Sequence, residues 1–408
     1  MEILYPRCAG LDVHKDVVVA RVRCVSEPCA DATRSFATTT GALVELQEWL
    51  TSHAVTHVAM EATGVYWKPV WHLLEEHFAL VLANAQHIRN VPGRKTDVND
   101  AAWIADLLAH GLISASFVPP QPIQELRDLT RTRKQLVREI SQHSLRIQKT
   151  LEDANLKVGS VLSDILGSSG RAILAALLAG ESDPRRLADL AQGNARKKRS
   201  ELIAALHGRI SAHHRGLLKL HLELIAALEQ ALREIDAAVG KVLAPIQECA
   251  RLLTTMPGIN ELSAHVMVAE IGIDMARFAT PAHLLSWATI CPRNDESAGK
   301  RRSTRTRKGS PRLKTALVTA AWAAVRTKGS YLQGQFLRIK ARRGAKKAIL
   351  AVAASMLTAA WHMLKHRVEY RDLGAEYFSR RNQAQQVRRL LRRLQDLGCA
   401  VQVTPQPA

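Results

Sequence analysis

Residues 9–24 read Ala-Gly-Leu-Asp-Val-His-Lys-Asp-Val-Val-Val-Ala-Arg-Val-Arg-Cys. Ala9 to Asp12 and Val17 to Cys24 have the length and β-branched content of strands, the second rich in Val, with polar residues between them. Working outward, Thr33 to Thr38 reads as a third strand. Gly41 to His53 carries Leu43, Leu46 and Leu50 at helical spacing. His57 to Ala62 is a compact apolar run before Gly64, a buried strand ending at Glu61. Val65 to His77 is expected as a helix and Phe78 to Ala83 as a strand. Asp97 to His110 sets Ala101, Ile104, Ala105 and Leu108 on one helical face. Strands alternating with helices in this way imply an α/β domain with a mixed sheet.

The pattern changes after Pro119-Pro120-Gln121-Pro122. Gln124 to Leu156 is helical and charged, with Leu129, Leu136, Ile140, Ile147 and Leu151 near a heptad seam. A second long helix is expected from about Ser200 to Val242, its seam formed by Leu217, Leu224, Leu228, Ile235 and Val242. Two such helices point to a coiled coil, within the chain or between protomers, with an ordinary bundle as the alternative. From Cys249 the chain is again mostly helical, and Ala348 to Leu364 is apolar enough to be a buried core helix. The expected organisation is therefore α/β plus α: residues 1–118, a helical region 119–248, a mostly helical C-terminal domain 249–400, and a tail 401–408.

The formal charge of +20 favours a polyanionic partner, nucleic acid before others. Aromatics at 4% argue against a reader built on base stacking. No run approaches the roughly 18 uninterrupted apolar residues of a membrane span, and Met-Glu-Ile-Leu-Tyr-Pro-Arg is not a signal peptide start. Cys8, Cys24, Cys29, Cys249, Cys291 and Cys399 form no CxxC pair, so free thiols in a reducing cytoplasm are expected, and no zinc.

Chemistry concentrates in four carboxylates. Asp12 ends one apolar strand and Glu61 another, so both are expected to project into a cleft. Asp97 and Asp100, three apart, share a face at a helix start. Each acid taken singly fits a surface charge, and Asp97 fits an N-cap. As a set, their placement at two strand ends and one helix start follows the metal-ligand arrangement of a ribonuclease-H-like fold. Converging carboxylates repel one another unless cations neutralise them, and hard oxygen donors select Mg²⁺ or Mn²⁺.

A second cluster follows Cys291-Pro292-Arg293-Asn294-Asp295-Glu296-Ser297-Ala298-Gly299. Lys300, Arg301, Arg302, Arg305, Arg307, Lys308, Arg312 and Lys314 come next, and no acid occurs between Glu296 and Glu369. That single sign fits a phosphate-binding surface more readily than a solvated face. Thr255-Met256-Pro257-Gly258-Ile259 lies between helical segments and has the form of a helix-hairpin-helix turn, whose N–H groups can hold a phosphate. Ser297, beside cations, is a candidate nucleophile, although Ser303 and Ser310 are equally placed.

GLDVHKD, MEATGVYW, GRKTDVNDA, TTMPGI, CPRNDESAGK and LGAEYFSRR together resemble the DEDD transposases of the insertion-sequence-110 family over nearly the whole chain. The resemblance implies a RuvC-like N-terminal domain, a coiled-coil connection and a C-terminal transposase domain. It makes Asp12, Glu61, Asp97 and Asp100 the metal-binding acids and Ser297 the nucleophile. In place of the family's SGGK the chain has Ser297-Ala298-Gly299-Lys300. Also implied is a structured guide RNA that pairs with donor and target DNA. A homodimer or homotetramer is expected, and the acids and the serine, on separate domains, come from one protomer or from two, a choice the sequence leaves open. The expected protein is a cytoplasmic, nucleoid-associated bacterial recombinase, with no membrane partner. The rivals are a RuvC-like nuclease using metal-activated water and a non-catalytic basic nucleic-acid-binding protein.

Overall fold

The computed structural model describes residues 2–25, 30–61, 64–83, 88, 100–113, 115–292, 295–297, 299–303, 305–306, 309, 311–378 and 383–398. It divides into two compact units, Met1–Val118 and Pro119–Ala408.

The first unit is built on a five-stranded mixed sheet: β1 (Arg7–Val13), β2 (Val17–Cys24), β3 (Ala32–Ala37), β4 (His57–Glu61) and β5 (Ala79–Ala83). The strand order is β3-β2-β1-β4-β5. β1 pairs antiparallel with β2 and parallel with β4, and β4 pairs parallel with β5. Among the described residues three helices intervene or follow: α1 (Thr40–Ser52), α2 (Trp67–Leu74) and α3 (Asp100–Ala109). Strand alternation sorts the core onto two faces. Leu11, Val18, Ala20, Val22, Val58 and Met60 pack with Leu43, Leu46 and Leu50 of α1 and with Val70 and Leu74 of α2. Cys8 and Ala59 pack on the other face with Ile104, Leu107 and Leu108 of α3. The expected helix at 97–110 is described as Asp100–Ala109; residues 97–99 lie outside the described residues.

Gly10 fixes the second face. A Cβ there would stand 2.2 Å from the carbonyl oxygen of Ala101 and 2.4 Å from the amide nitrogen of Ala105. Only glycine lets α3 lie this close to β1.

Among the described residues the only strands of the second unit form one hairpin, and the rest of its regular structure is helical. Its longest helix is α4 (Gln121–Asp153), followed by the short α5 (Val158–Val161), α6 (Ser168–Leu178), α7 (Pro184–Asp189) and α8 (Arg199–Ala205), and then by α9 (Ala212–Leu243). The anticipated single helix from Ser200 to Val242 is therefore two helices. The break lies at Gly208, where a Cβ would meet the carbonyl oxygens of Ala154 and Asn155 at 2.6 and 2.8 Å. Ser211 then caps α9, accepting from the His214 amide while the His214 ring accepts from the Ser211 amide.

α4 and α9 lie side by side and antiparallel: Arg133 meets Asp236, His143 meets His221 and Asp153 meets His214. The buried seam of α9 is Leu218, Ile225, Val239 and Leu243. The sequence places it at Leu217, Leu224 and Val242, one residue earlier, and Leu224 is 41% exposed. In a helix with leucine at 217, 218, 220, 222 and 224, composition does not choose the stripe that faces inward.

The remaining helices are α10 (Gln247–Thr254), α11 (Glu261–Ile271), α12 (Pro281–Trp287), α13 (Pro311–Ala324), α14 (Tyr331–Arg343), α15 (Ala345–His366) and α16 (Gln383–Asp396). Strands β6 (Asp295–Ser297) and β7 (Lys300–Ser303) form an antiparallel hairpin between α12 and α13. α15 is the one helix among the described residues long and apolar enough to cross a bilayer by composition. It sits at the centre of this unit, with Ala348, Val352, Ala353, Met356, Leu357 and Ala360 fully buried. Two side chains tie α4 to α11: Arg127 donates to the carbonyl oxygens of Ala269 and Glu270, and Arg131 forms a two-point pair with the buried Glu270 carboxylate at 3.0 Å each.

Cys8, Cys249 and Cys291 are free thiols. Cys24 is in a disulfide, contrary to the all-thiol expectation. Expectations for Cys29, Cys399 and the tail 401–408 lie outside the described residues.

Candidate active site

Strand register brings two of the four acids together. Leu11 of β1 is paired with Met60 of β4, so one step further along both parallel strands Asp12 lies beside Glu61. Asp12 shares the strand face of Cys8 and Gly10, and Glu61 that of Ala59. That is the face covered by α3, whose first residue is the half-buried Asp100. The Gly10 contact is with the first turn and a half of the same helix, Ala101 to Ala105. Two strand ends and one helix start thus lie on the same side of the sheet.

Asp97 lies outside the described residues. Among the described residues no three His, Cys, Asp or Glu side chains are grouped closely enough to hold one ion.

One neighbour was not singled out by the sequence pattern. His14, at the turn between β1 and β2, has its Nε2 3.0 Å from Oδ2 of Asp12, in a turn closed by the His14 amide donating to the Val17 carbonyl at 2.9 Å. Only the motif GLDVHKD carries a signal for it: an imidazole two residues past a strand-end carboxylate. Below the acids, Cys8 is a core residue whose thiol donates to the Ala105 carbonyl. Burial pushes that thiol up to about 11, an effect opposed by Arg23 and added to by Asp31. It is a packing group, protonated at neutral pH.

In the second unit, Ser297 ends β6 and pairs with Lys300, the first residue of β7; Glu296 pairs with Arg301 and Asp295 with Ser303. Two residues make the turn. Gly299, at φ +73°, adopts the left-handed backbone that glycine tolerates best. A bridge between Pro292 and Thr306 continues the pairing beyond both strands. The side chains of Ser297, Arg301 and Arg302, with all of Arg307 and Lys308, lie outside the described residues.

Lys300, Arg305 and Arg312 are exposed. Lys314 is half-buried and donates to the Thr306 hydroxyl at 2.7 Å, bracing the segment that leads into α13. Gly258, between α10 and α11, is at φ +82°, and a Cβ there would meet the Ala320 oxygen and Ala324 nitrogen of α13 at 2.3 and 2.5 Å. This contact requires the glycine whatever else the turn does. Asn260 caps α11, accepting from the Ser263 amide at 2.9 Å.

Residues 9–156 match a model of DEDD proteins of the insertion-sequence-110 type, described as a transposase. Residues 250–336 match one described as the transposase IS116/IS110/IS902 family. The chain is also 26% identical over 340 residues to the insertion element IS900 uncharacterized 42 kDa protein of Mycobacterium paratuberculosis, covering 72% of this chain and 80% of that protein. The two family matches, the first running from the sheet unit through α4 and the second over α10 to α14, agree: the chain belongs to the insertion-sequence-110 family of transposases.

Proposed function

We propose that the chain is a site-specific DNA recombinase of a bacterial mobile element, joining strands through a Ser297–DNA phosphodiester. A transposase family implies DNA as substrate and its cleavage and rejoining. The observation that carries the finer reading is the meeting of Asp12, Glu61 and the Asp100 helix on one face of the sheet. The order β3-β2-β1-β4-β5, with an antiparallel meander running into parallel strands, supports a ribonuclease-H-like, RuvC-like domain over residues 1–118. The antiparallel α4–α9 pair supports a coiled-coil connector over 119–248, with the transposase domain at 249–400.

The donors suit a hard divalent cation: Asp12, Glu61 and Asp100 offer only carboxylate oxygens, and Asp97 would add another. Mg²⁺ or Mn²⁺ held there would supply positive charge to a phosphate and its leaving oxygen. His14 orients the Asp12 carboxylate by its 3.0 Å contact. Ser297, at a tight turn opposite Lys300, would attack phosphorus: an Oγ–P bond forms as one sugar–phosphate ester bond breaks. The freed strand leaves with a terminal hydroxyl that takes up the serine proton; the hydroxyl of the incoming strand then displaces Oγ from phosphorus, so the bond energy is kept. Lys300, Arg301, Arg302, Arg305, Arg307, Lys308, Arg312 and Lys314, with the turn at Gly258, would hold the phosphates. A structured guide RNA reads sequence in this proposal, consistent with a protein rich in cations and poor in aromatics. A homodimer or homotetramer brings the serine of one unit to the acids of another, in the bacterial cytoplasm on nucleoid DNA.

The test is Ser297→Ala in a strand-exchange assay with the element's ends and its non-coding RNA. Loss of joining, and of a covalent protein–DNA species on denaturing gels, is expected. Joining at the parent rate would overturn the serine mechanism, and cleavage that persists without joining would point to a nuclease that uses activated water.

A further inference from the structure

We propose that the groove between α4 and α13 docks the phosphodiester backbone of a DNA duplex. The proposal rests on the recombinase reading above and extends it: Arg312 is already a phosphate contact there, whereas the α4 wall belongs to the connector and has no role in that reading.

The groove has a volume of about 630 Å³. On α4 its wall is Arg131, Lys134, Arg138 and Gln142, spaced three, four and four apart and hence on one helical face. On α13 it is Arg312 and Thr315, three apart. Arg131 is committed to Glu270 through Nε and Nη2. Lys134, Arg138 and Arg312 are exposed, and none is ion-paired with an acid of the described residues. Glu139 is the one acid in the groove, and its Oε1 is occupied by the Gln135 side-chain amide at 3.0 Å. Three uncommitted cations facing one carboxylate leave a site that wants negative charge.

The occupant follows from the lining. No aromatic side chain is present, so unpaired bases have nothing to stack on. Cations with a hydroxyl and amides are the usual partners of phosphate oxygens. Beyond the groove the exposed side of α4 carries Arg146 and Lys149. From Lys134 to Lys149 the helix rises roughly 22 Å, the span of about six successive phosphates on one DNA strand. Among those 16 residues Glu139 is the only acid. A stripe of that length fits an extended, regular polyanion, and the family's substrate supplies DNA as that polyanion.

The experiment is salt-dependent binding of the full-length protein to a blunt DNA duplex, read by fluorescence anisotropy. An RNA hairpin of equal charge is the parallel probe. K134A/R138A is expected to weaken duplex binding at least tenfold. It should also flatten the dependence of log affinity on log salt by about 2, the loss of two phosphate contacts. E139Q is expected to tighten binding, a gain that misfolding does not produce. R185A/K197A removes two exposed cations outside the groove and should leave the slope unchanged. If the control pair flattens the slope equally, or if K134A/R138A and E139Q bind as the parent does, the groove proposal is wrong while the recombinase reading stands. A loss confined to the RNA hairpin overturns the DNA assignment. A parent protein that fails to bind duplex DNA at low salt overturns both readings.

Discussion

At Gly10 the backbones of β1 and α3 meet with no side chain between them, and Asp12 and Asp100 stand just beyond that contact. Gly10→Val would drive a side chain into peptide groups at 2.2 and 2.4 Å. A loss of about 3 kcal/mol or more is expected, read as a lowered urea midpoint. Asp12→Asn has the opposite profile: it removes a charge that stands beside Glu61, so stability should hold or rise while strand exchange disappears. Measuring Tm beside activity separates the two effects. Cys8, held as a buried thiol with its pKa near 11, should resist iodoacetamide in the native protein. The half-buried Cys291 should react before Cys8 and the buried Cys249, which peptide mass mapping after brief labelling would show. Strand-end acids were legible because a carboxylate closing a Val/Ala/Met run has no place in a core. The need for Gly10 was not legible: a close approach depends on the partner element, which lies some ninety residues later.

Between α4 and α9 the sequence identified two long helices, but not which stripe faces inward. Ile225 is fully buried and Leu224 is 41% exposed. Ile225→Ala should therefore cost about 2–5 kcal/mol, and Leu224→Ala no more than about 0.5 kcal/mol; chemical denaturation of the two variants ranks the stripes. The break before Ala212 escaped notice for a related reason, since apolar spacing runs straight through it while the contact at Gly208 does not show in spacing. The Arg131–Glu270 pair holds a carboxylate 3% exposed. Arg131→Ala removes its two-point partner, and a destabilisation of about 3–5 kcal/mol is expected. pH acts on the same helices. Burial, then the facing His143 and Arg146, hold the His221 imidazole below its ordinary value of 6.5. The unfolded chain then binds the proton more readily, so stability is complete above pH 6.5 and falls as pH drops towards the folded-state pKa. His221→Gln should shrink the fall in Tm between pH 8 and 5.5. His57 and His265, shifted in the same direction by burial, titrate in parent and variant alike.

Across the whole molecule, the 72 residues between Glu296 and Glu369 contain no acid, yet they do two different jobs. Part forms the hairpin and its approach to α13; part is α15, the apolar centre of the second unit. The sequence made both visible, one as charge and one as hydrophobicity. It did not reveal that α4, read as a connector, turns Lys134 and Arg138 towards Arg312, because the heptad pattern draws attention to the opposite face.

The two arginines that fasten α4 to α11 have a mechanical consequence. Arg127 and Arg131 grip the first turns of a helix of 33 residues, roughly 50 Å long. The rest of that helix is stiffened by α9. The pair is thus a cantilever clamped at one end, and a load applied near Asp153 is delivered as torque at Ala269 and Glu270. A partner that gripped the far tip would not need to touch the helices around α11 to tilt them.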